Sequence, residues 1–509
     1  MNTSAPTGKA AFRLTGWPLL IFVLLLAAFY PQSPLYFDNQ NTKFLHGAAR
    51  AGWGHLGADW TANTLDPLPV FTFLVETVYR WFPPGLFHVL FALLVAVYAW
   101  AAIGIATKIH PELRQGRAAW IFAGLFALIL LTPLNDELAS GVAKQYILDH
   151  YLQPCVLGVF MLLGVRYFLD GRATSAALCL ALAVLTHPGA YLISALLILV
   201  AITWEASRSG FTFRALIPAI LFAALTIPIG VYQAVAFMPG SETTWRQAMD
   251  ILANQRIPHH TRVAAWMDLG NVAKLAVLVW ASWSVRGNRP LFLIMALQTG
   301  VVVLATLALL IMPNATAAFT TPWRVTAVLM PIAIVLLSAK ASVWLSVRAG
   351  ERKIHHIALF ILTATLALGA AQTYVKWAKY AHGKSMGVIA YAKSSAAVSQ
   401  LYLVPPKASD FDRFRLETGL PVLANWKSHP YLDTEVLEWW GRNQSALKIY
   451  ETHDAAERNR LAAQLVERYG ITHFVMNVDR TVDIPGFAKA YEDSRFAVYR
   501  RPPGQPAMD

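Results

Sequence analysis

The chain has 509 residues, 56% of them hydrophobic and only 14% charged, where a soluble domain carries roughly 25% charged residues, so a single soluble globular fold is excluded. The formal net charge of +13 would point a soluble protein towards nucleic acid, but much of this excess lies in short loops between apolar runs, with no basic stripe interleaved with aromatics, which favours membrane topology and argues against a nucleic-acid partner. The two cysteines, Cys155 and Cys179, both lie in apolar runs, which excludes a disulfide framework and leaves them as small buried hydrophobes.

A bilayer-crossing helix needs about 20 apolar residues. Such segments are expected at 17–36, 85–107, 118–134, 154–170, 173–187, 188–206, 213–237, 270–285, 290–312, 323–339 and 354–376, about eleven spans in all. The first is too long for a signal-peptide core and has no small-residue cleavage site after it, so it reads as a retained helix. Within 173–206, His187-Pro188-Gly189 breaks the run into two helices.

Loop charges test that break. Lys9 and Arg13 precede the first span. Alternate loops then carry Lys108, Arg114 and Arg117; Arg172; Arg208 and Arg214; Arg286 and Arg289; and Lys340, Arg348, Arg352 and Lys353. Short basic loops mark the cytoplasmic side. The opposite loops mix signs and hold Asp38, Asp59, Asp66, Asp136, Glu137, Asp149, Glu242, Asp250 and Asp268. The alternation keeps its phase only if 173–206 is a hairpin, which places the N-terminus inside and the C-terminus outside.

From about 377 the composition becomes mixed and charged. Leu401–Val404, Pro421–Ala424, Thr472–Met476 and Phe496–Tyr499 read as strands; Asp433–Leu447 and the amphipathic Ala455–Tyr469 read as helices. The expected architecture is an α-helical membrane bundle over 1–376, with a long first outer loop at 37–84, and a soluble α/β domain over 377–509.

Ionisable residues gathered at helix ends beside a bilayer are candidate sites. Four clusters share the outer face. The first, Asp38-Asn39-Gln40-Asn41-Thr42-Lys43, continues through His46, His55, Asp59-Trp60 and Asp66-Pro67. A carboxylate here can act as general base towards a hydroxyl or hold a cation, although Asp38 can also cap a short helix and Asp66-Pro67 is a turn signal. The second runs from Lys144 to Asp149-His150-Tyr151, an acid beside an imidazole that also suits a plain interfacial pair. The third, Asn254-Gln255-Arg256-Ile257-Pro258-His259-His260, offers a guanidinium suited to phosphate. The fourth is Thr320-Thr321-Pro322-Trp323-Arg324, where Arg324 can grip a lipid-linked phosphate or serve as an interface anchor. With His46, His55, His150 and His187 on the same side, a divalent metal such as zinc enters the picture, but the spacings match no ligand pattern. In the soluble part, Asn425-Trp426-Lys427-Ser428-His429-Pro430-Tyr431 sets Lys427 and His429 on one face if the strand continues, pointing at the membrane; loop packing is the plainer alternative. No Gly-rich phosphate loop, G-x-S-x-G or C-x-x-C occurs.

This layout, a helix leading into a long outer loop that opens on an acid, then a multi-helix bundle and an outer α/β domain, resembles the GT-C superfamily of membrane glycosyltransferases. More closely, the stretches Asp38-Asn39-Gln40-Asn41-Thr42-Lys43-Phe44-Leu45, Asp59-Trp60 with Asp66-Pro67, His150-Tyr151-Leu152-Gln153-Pro154, Arg256-Ile257-Pro258-His259-His260 and Trp426-Lys427-Ser428-His429-Pro430-Tyr431 resemble a bacterial family of GT-C-like multi-pass proteins. The GT-C resemblance implies a sugar donor linked to polyprenyl phosphate. Asp38 would be catalytic base or metal ligand, with Asp59 the second choice, and Arg256 and Arg324 would face the donor phosphate. The paired first-loop acids of some GT-C enzymes are missing, so the resemblance fixes no metal.

The function expected is inverting transfer of a sugar to an envelope lipid or polymer at the outer leaflet of a bacterial inner membrane. Asp38 and Asp59 are the candidates for catalysis. Lys43, His46, Asp66, Asp149, His150, His187, Arg256, His259, His260, Arg324, Lys427 and His429 are the candidates for substrate contact. A transporter or flippase is the first rival; it would place charge at the bilayer midplane on broken helices, for which His187-Pro188 is the best candidate. A non-catalytic envelope protein is the second.

Overall fold

The computed structural model describes residues 12–208, 210–348 and 351–501. Lys9 and the side chains of Arg352 and Lys353 lie outside that description. Every expected span falls on a helix. These are α1 (Gly16–Phe29), α2 (Leu86–Ile109), α3 (Gly116–Leu130), α4 (Val159–Leu169), α5 (Ala173–Thr186), α6 (Pro188–Ala206), α7 (Phe213–Ala236), α8 (Leu269–Ser284), α9 (Arg289–Ile311), α10 (Val325–Arg348) and α11 (Glu351–Ala381). Six helices among the described residues are long and apolar enough to cross a membrane unaided, and α1, α3 and α5 are shorter apolar helices. The protein is a membrane protein built as a helical bundle with a small C-terminal sheet.

Two helices stop before their apolar runs do. α1 ends at Phe29 rather than 36 and α3 at Leu130 rather than 134, because Pro31 and Pro133 remove a backbone donor and clash with the preceding turn. α11 runs beyond 376 to Ala381. His187 has φ −150° and ψ 74°, and Pro188 takes the first position of α6, where its missing N–H costs nothing. α5 and α6 therefore form a hairpin. Asp170, just before α5, pairs with Lys108 at 3.2 Å, and Glu205, at the end of α6, pairs with Arg208 and Arg289 at 2.9 and 3.6 Å. Both ends of the hairpin thus return to the same basic end of the bundle.

At the other end, the long outer loop expected at 37–84 is ordered. It holds short helices Gln40–Lys43 and Leu45–Arg50 and an amphipathic helix Pro69–Trp81. The last buries Phe71 and Val75 while exposing Phe73 and Trp81, as a helix lying in the membrane interface does.

The C-terminal sheet has four strands, β1 (Tyr402–Leu403), β2 (His473–Asn477), β3 (Ala488–Glu492) and β4 (Phe496–Arg500), in the order β1-β2-β4-β3. β1 pairs parallel to β2; the other pairs are antiparallel. Helices α12 (Met386–Ser394), α13 (Asp433–Glu451) and α14 (Ala455–Tyr469) pack around it. Pro421–Ala424, expected as a strand, makes a single bridge, Val422 to Tyr402. After Ala424 the chain leaves the sheet, so Lys427 and His429 sit on an irregular strap and not on a strand face.

Candidate functional site

The site begins with two residues in a backbone conformation that side chains resist. Tyr36 has φ +64° and Asp38 φ +43°, each a cost of order 1–3 kcal/mol that only surrounding bonds can hold. The amides that follow supply those bonds. Gln40 Oε1 accepts from the Tyr36 N–H at 2.8 Å, Asn41 donates to the Tyr36 carbonyl at 2.7 Å, Gln40 Nε2 donates to the Leu152 carbonyl at 3.0 Å, and Asn39 donates to Gln153 Oε1 at 3.1 Å. The Asn-Gln-Asn run is a clamp that fixes Asp38. Its carboxylate is 40% exposed; Oδ2 accepts from Tyr151 at 2.9 Å and Oδ1 pairs with the Lys427 ammonium.

Lys427 lies on the strap 425–431, which crosses from the sheet domain to the bundle. Ser428 N donates to Asn425 Oδ1 at 2.9 Å, Ser428 Oγ to the Asn41 carbonyl at 3.2 Å, and Thr42 to the Lys427 carbonyl at 3.3 Å. That same carbonyl accepts from Arg256 at 2.8 Å. Lys427 thus joins the carboxylate region to a cluster of cations.

The cluster is formed by Lys43, Arg256, Arg324, His429 and Tyr431. Lys43 donates to the Tyr431 hydroxyl at 3.2 Å. Arg256 ends a π-helical turn, Ile251–Arg256, a distortion that recurs at functional sites. Arg324 is set by a left-handed Thr321 (φ +46°), by Pro322, and by the buried Trp323, whose indole donates to the His260 carbonyl at 2.9 Å. Arg324 donates to the Gly189 carbonyl at 3.0 Å. The Nε of Arg256, the Nε of Arg324, both ring nitrogens of His429 and Nδ1 of His187 are buried without a hydrogen-bond partner. Unpartnered buried polar atoms of this kind are costly.

The electrostatics follow. Burial, with Arg256, Lys43 and Lys427 nearby, pushes His429 well below its ordinary range. Burial and the neighbouring His259 lower His260 to about 3, and burial lowers His259. In each case burial favours the neutral imidazole. Burial opposes ionisation of Tyr431, yet Lys43, Arg324 and Arg256 together bring it below its ordinary value, the response of an acid in a positive field.

Several expected residues lie elsewhere. Asp59, the second choice for catalysis, is fully buried. Its Oδ2 takes Arg415 Nε at 2.6 Å and Val422 N at 2.9 Å, and its Oδ1 takes Ala62 N at 2.9 Å. It clamps the first loop to the sheet domain and has no free face for a substrate. Asp66 braces its own loop through Leu68 N, Thr72 and Arg50. His46 lies 3.0 Å from the Thr64 carbonyl. His150 uses both nitrogens, on the Pro31 carbonyl at 2.9 Å and Asp136 at 3.0 Å. Asp149 accepts from His150 N and Gln153 at 2.7 and 2.9 Å and borders a cavity of about 140 Å³ shared with Asp136 and Tyr146; burial raises its pKa. His187 lies near Arg324, its ring edge-on to Tyr191. Among the described residues no three His, Cys, Asp or Glu side chains converge to hold a metal ion.

Sequence reasoning missed three contributors. Tyr151 and Tyr431 stood in the motifs but had no role. Asp412 had no signal at all; burial pushes it up to about 6, and Lys427, Asp38 and Arg256 act on it.

Beside the cationic cluster, α6 and α7 enclose an apolar groove of about 880 Å³, lined by Leu192, Leu196, Val200 and Trp204 on one side and Phe222 and Ile229 on the other. Pro188 lines its near end, next to the Gly189 carbonyl that holds Arg324.

Residues 384–446, which include the strap, match a domain of unknown function, DUF6798. No curated protein matches the chain. The chain is similar to the crystal structure of ArnT from Cupriavidus metallidurans bound to undecaprenyl phosphate, with TM-score 0.49 and 12% identity over 96% of this chain and 97% of that one. The apo state of the same protein gives 0.48 and 12% over 95% and 96%. The archaeal oligosaccharyltransferase AglB from Archaeoglobus fulgidus, in complex with an inhibitory peptide and a dolichol-phosphate, gives 0.40 and 13% over 93% and 67%.

Proposed function

We propose that the protein is a membrane glycosyltransferase that moves a sugar from a polyprenyl-phosphate donor to a hydroxyl of an envelope lipid or polymer, with inversion, at the outer leaflet of a bacterial inner membrane. The observation that carries this reading is the junction of three unlike surfaces: a partly exposed carboxylate at Asp38, a cluster of cations at Lys43, Arg256 and Arg324 around Tyr431, and an apolar groove that starts at Pro188. An amphiphile with a phosphate head and a hydrocarbon tail fits the last two. A sugar on that phosphate would then lie towards Asp38.

In this reading Asp38 takes the proton of the acceptor hydroxyl as its oxygen attacks the anomeric carbon. Lys427 must first give up its contact with Asp38. Arg256 and Arg324 stabilise the charge that develops on the departing phosphate, the larger electrostatic contribution. Tyr151 holds the carboxylate in place.

The test is mass spectrometry of lipid extracts from a deletion strain, its parent and an Asp38→Asn complement. Accumulation of an undecaprenyl-phosphate-sugar in both deletion and Asp38→Asn strains is expected. An unchanged lipid pool, or full rescue by the variant, overturns the reading.

A further inference from the structure

The masked state of Asp38 deepens the reading above and rests on it. Both oxygens of the proposed base hold a partner: Oδ1 pairs with the Lys427 ammonium, and Oδ2 accepts from Tyr151 at 2.9 Å. An acceptor hydroxyl competes with these partners. Once its proton is on Asp38, the carboxyl is neutral and no longer balances the ammonium. Lys427 keeps its own proton and loses its counter-ion, and an uncompensated charge in a partly buried place is costly. It needs a second seat.

Two further carboxylates stand in this region. Asp149 acts on Tyr151 together with Asp38, but both its oxygens are taken, by His150 N and by Gln153. Asp412 differs. Its Oδ1 accepts from Asn425 at 3.0 Å, and among the described residues no hydrogen bond reaches its Oδ2. We propose that Asp412 is the second seat: the Lys427 side chain crosses from Asp38 to Asp412 as Asp38 takes the acceptor proton. Asp412 is then a positioning residue, which acts on the base through the lysine.

The strap is built for such a movement. Asn425, the partner of Asp412, lies two residues before Lys427, and its side chain also accepts from Ser428 N at 2.9 Å. Its carbonyl accepts from the Trp439 indole at 3.0 Å. The Lys427 carbonyl is held by Thr42 and Arg256, and Ser428 Oγ by the Asn41 carbonyl, so the backbone stays in place. The Lys427 side chain is 24% exposed and has a flexible aliphatic stem on which the ammonium can swing. The charges around Asp412 agree with this direction. Lys427 and Arg256 favour its ionised form, while Asp38 opposes it. A proton on Asp38 removes that opposition, so the event that frees Lys427 also makes Asp412 its better partner.

The experiment adds purified full-length protein to detergent-solubilised membranes of the deletion strain and follows consumption of the undecaprenyl-phosphate-sugar by mass spectrometry. Asp412→Asn is expected to lower kcat about fivefold at unchanged KM for the lipid-linked sugar, the scale of one partly exposed ion pair. Asp412→Glu should recover most of that loss. So should Lys427→Gln added to Asp412→Asn, because a chain without the ammonium needs no second seat. Asp412→Ser stands in should Asp412→Asn fail a thermal-melt check of folding. Parent-like kcat in Asp412→Asn overturns the second seat and leaves the donor phosphate as the destination of the lysine. A loss that Lys427→Gln does not relieve overturns it as well and leaves Asp412 a packing role. If the parent protein itself consumes no lipid-linked sugar, the transferase reading falls, and the second seat with it.

Discussion

Asp38 and Asp59 have the same side chain, in one loop, with opposite surroundings. Asp59 has Arg415, Val422 N and Ala62 N on a carboxylate that solvent does not reach. Removing it strands a buried guanidinium. Asp59→Ala should cost about 3–5 kcal/mol of stability, the range for breaking a buried pair, seen as a large drop in melting temperature of the detergent-solubilised protein. Asp38→Asn should stay within about 1 kcal/mol of the parent, because the lost pair with Lys427 is partly exposed and asparagine tolerates the left-handed backbone. Equal melting losses would break the division of roles. Asp412 makes a pH prediction. Its folded pKa is raised from 3.8 to about 6, so the folded protein binds the proton more tightly than the unfolded chain. Its contribution is fully present below about pH 4 and is lost as pH rises through about 6. Asp412→Asn removes that penalty, which is at most about 3 kcal/mol at 1.36 kcal/mol per unit. Relative to the parent, the variant should melt progressively higher between pH 4 and 7; a pH-independent difference would place Asp412 in an ordinary solvated setting.

At the scale of elements, the helices were legible because hydropathy and proline report them directly. The hairpin at 173–206 followed from His187-Pro188 and loop charges together, and α14 matched to the residue. Less legible was anything made by contact between distant segments. β3 reads Ala-Lys-Ala-Tyr-Glu and is largely exposed, so no strand period marks it. The strap 425–431 stayed open between a continued strand and a loop packed on the bundle, because the pattern of alternation continues after the pairing ends at Val422. Of the candidate site residues, those on motifs beside helix ends, Asp38, Lys43, Arg256, Arg324, Lys427 and His429, come together. His46 and Asp66 brace the first loop, Asp59 ties it to the sheet domain and His150 ties Pro31 to Asp136, and nothing in their one-dimensional context separates a brace from a ligand. The docking of first loop and sheet domain depends on a close backbone crossing. His55 N donates to the Gly419 carbonyl at 2.6 Å, and a Cβ on Gly419 (φ +70°) would lie 2.8 Å from the Gly54 Cα. Gly419→Ala pays left-handed strain of about 1–2 kcal/mol and pushes the two backbones apart. Faster proteolysis at 420–431 is expected in the variant; unchanged protection would mean that the crossing is not what holds the strap.

Across the whole molecule, the unlike surfaces lie where their solvents put them. Basic loops fill one end of the bundle, and the carboxylate, cations and sheet domain fill the other. The groove between α6 and α7 joins them along the hydrocarbon depth: Pro188 to Trp204 spans about 24 Å at 1.5 Å per residue. A tail held there is bound by apolar area at about 0.8 kcal/mol per buried CH₂, and the head by charge, so the two contributions can be separated by mutation. Gly230 lines the groove, and a Cβ there would meet nothing within 4 Å. Gly230→Phe therefore fills the groove without moving backbone, and it replaces a poor helix former with a better one. Filling the space of two or three methylenes should lower the affinity for undecaprenyl phosphate by about tenfold or more. Binding of inorganic pyrophosphate should not change, and the melting temperature should hold or rise. Arg324→Gln should do the reverse, weakening both probes in proportion to charge while leaving the groove intact. A Gly230→Phe protein that still binds the lipid like its parent would take the tail out of this groove, and with it the contiguity of head and tail sites on which the functional reading rests.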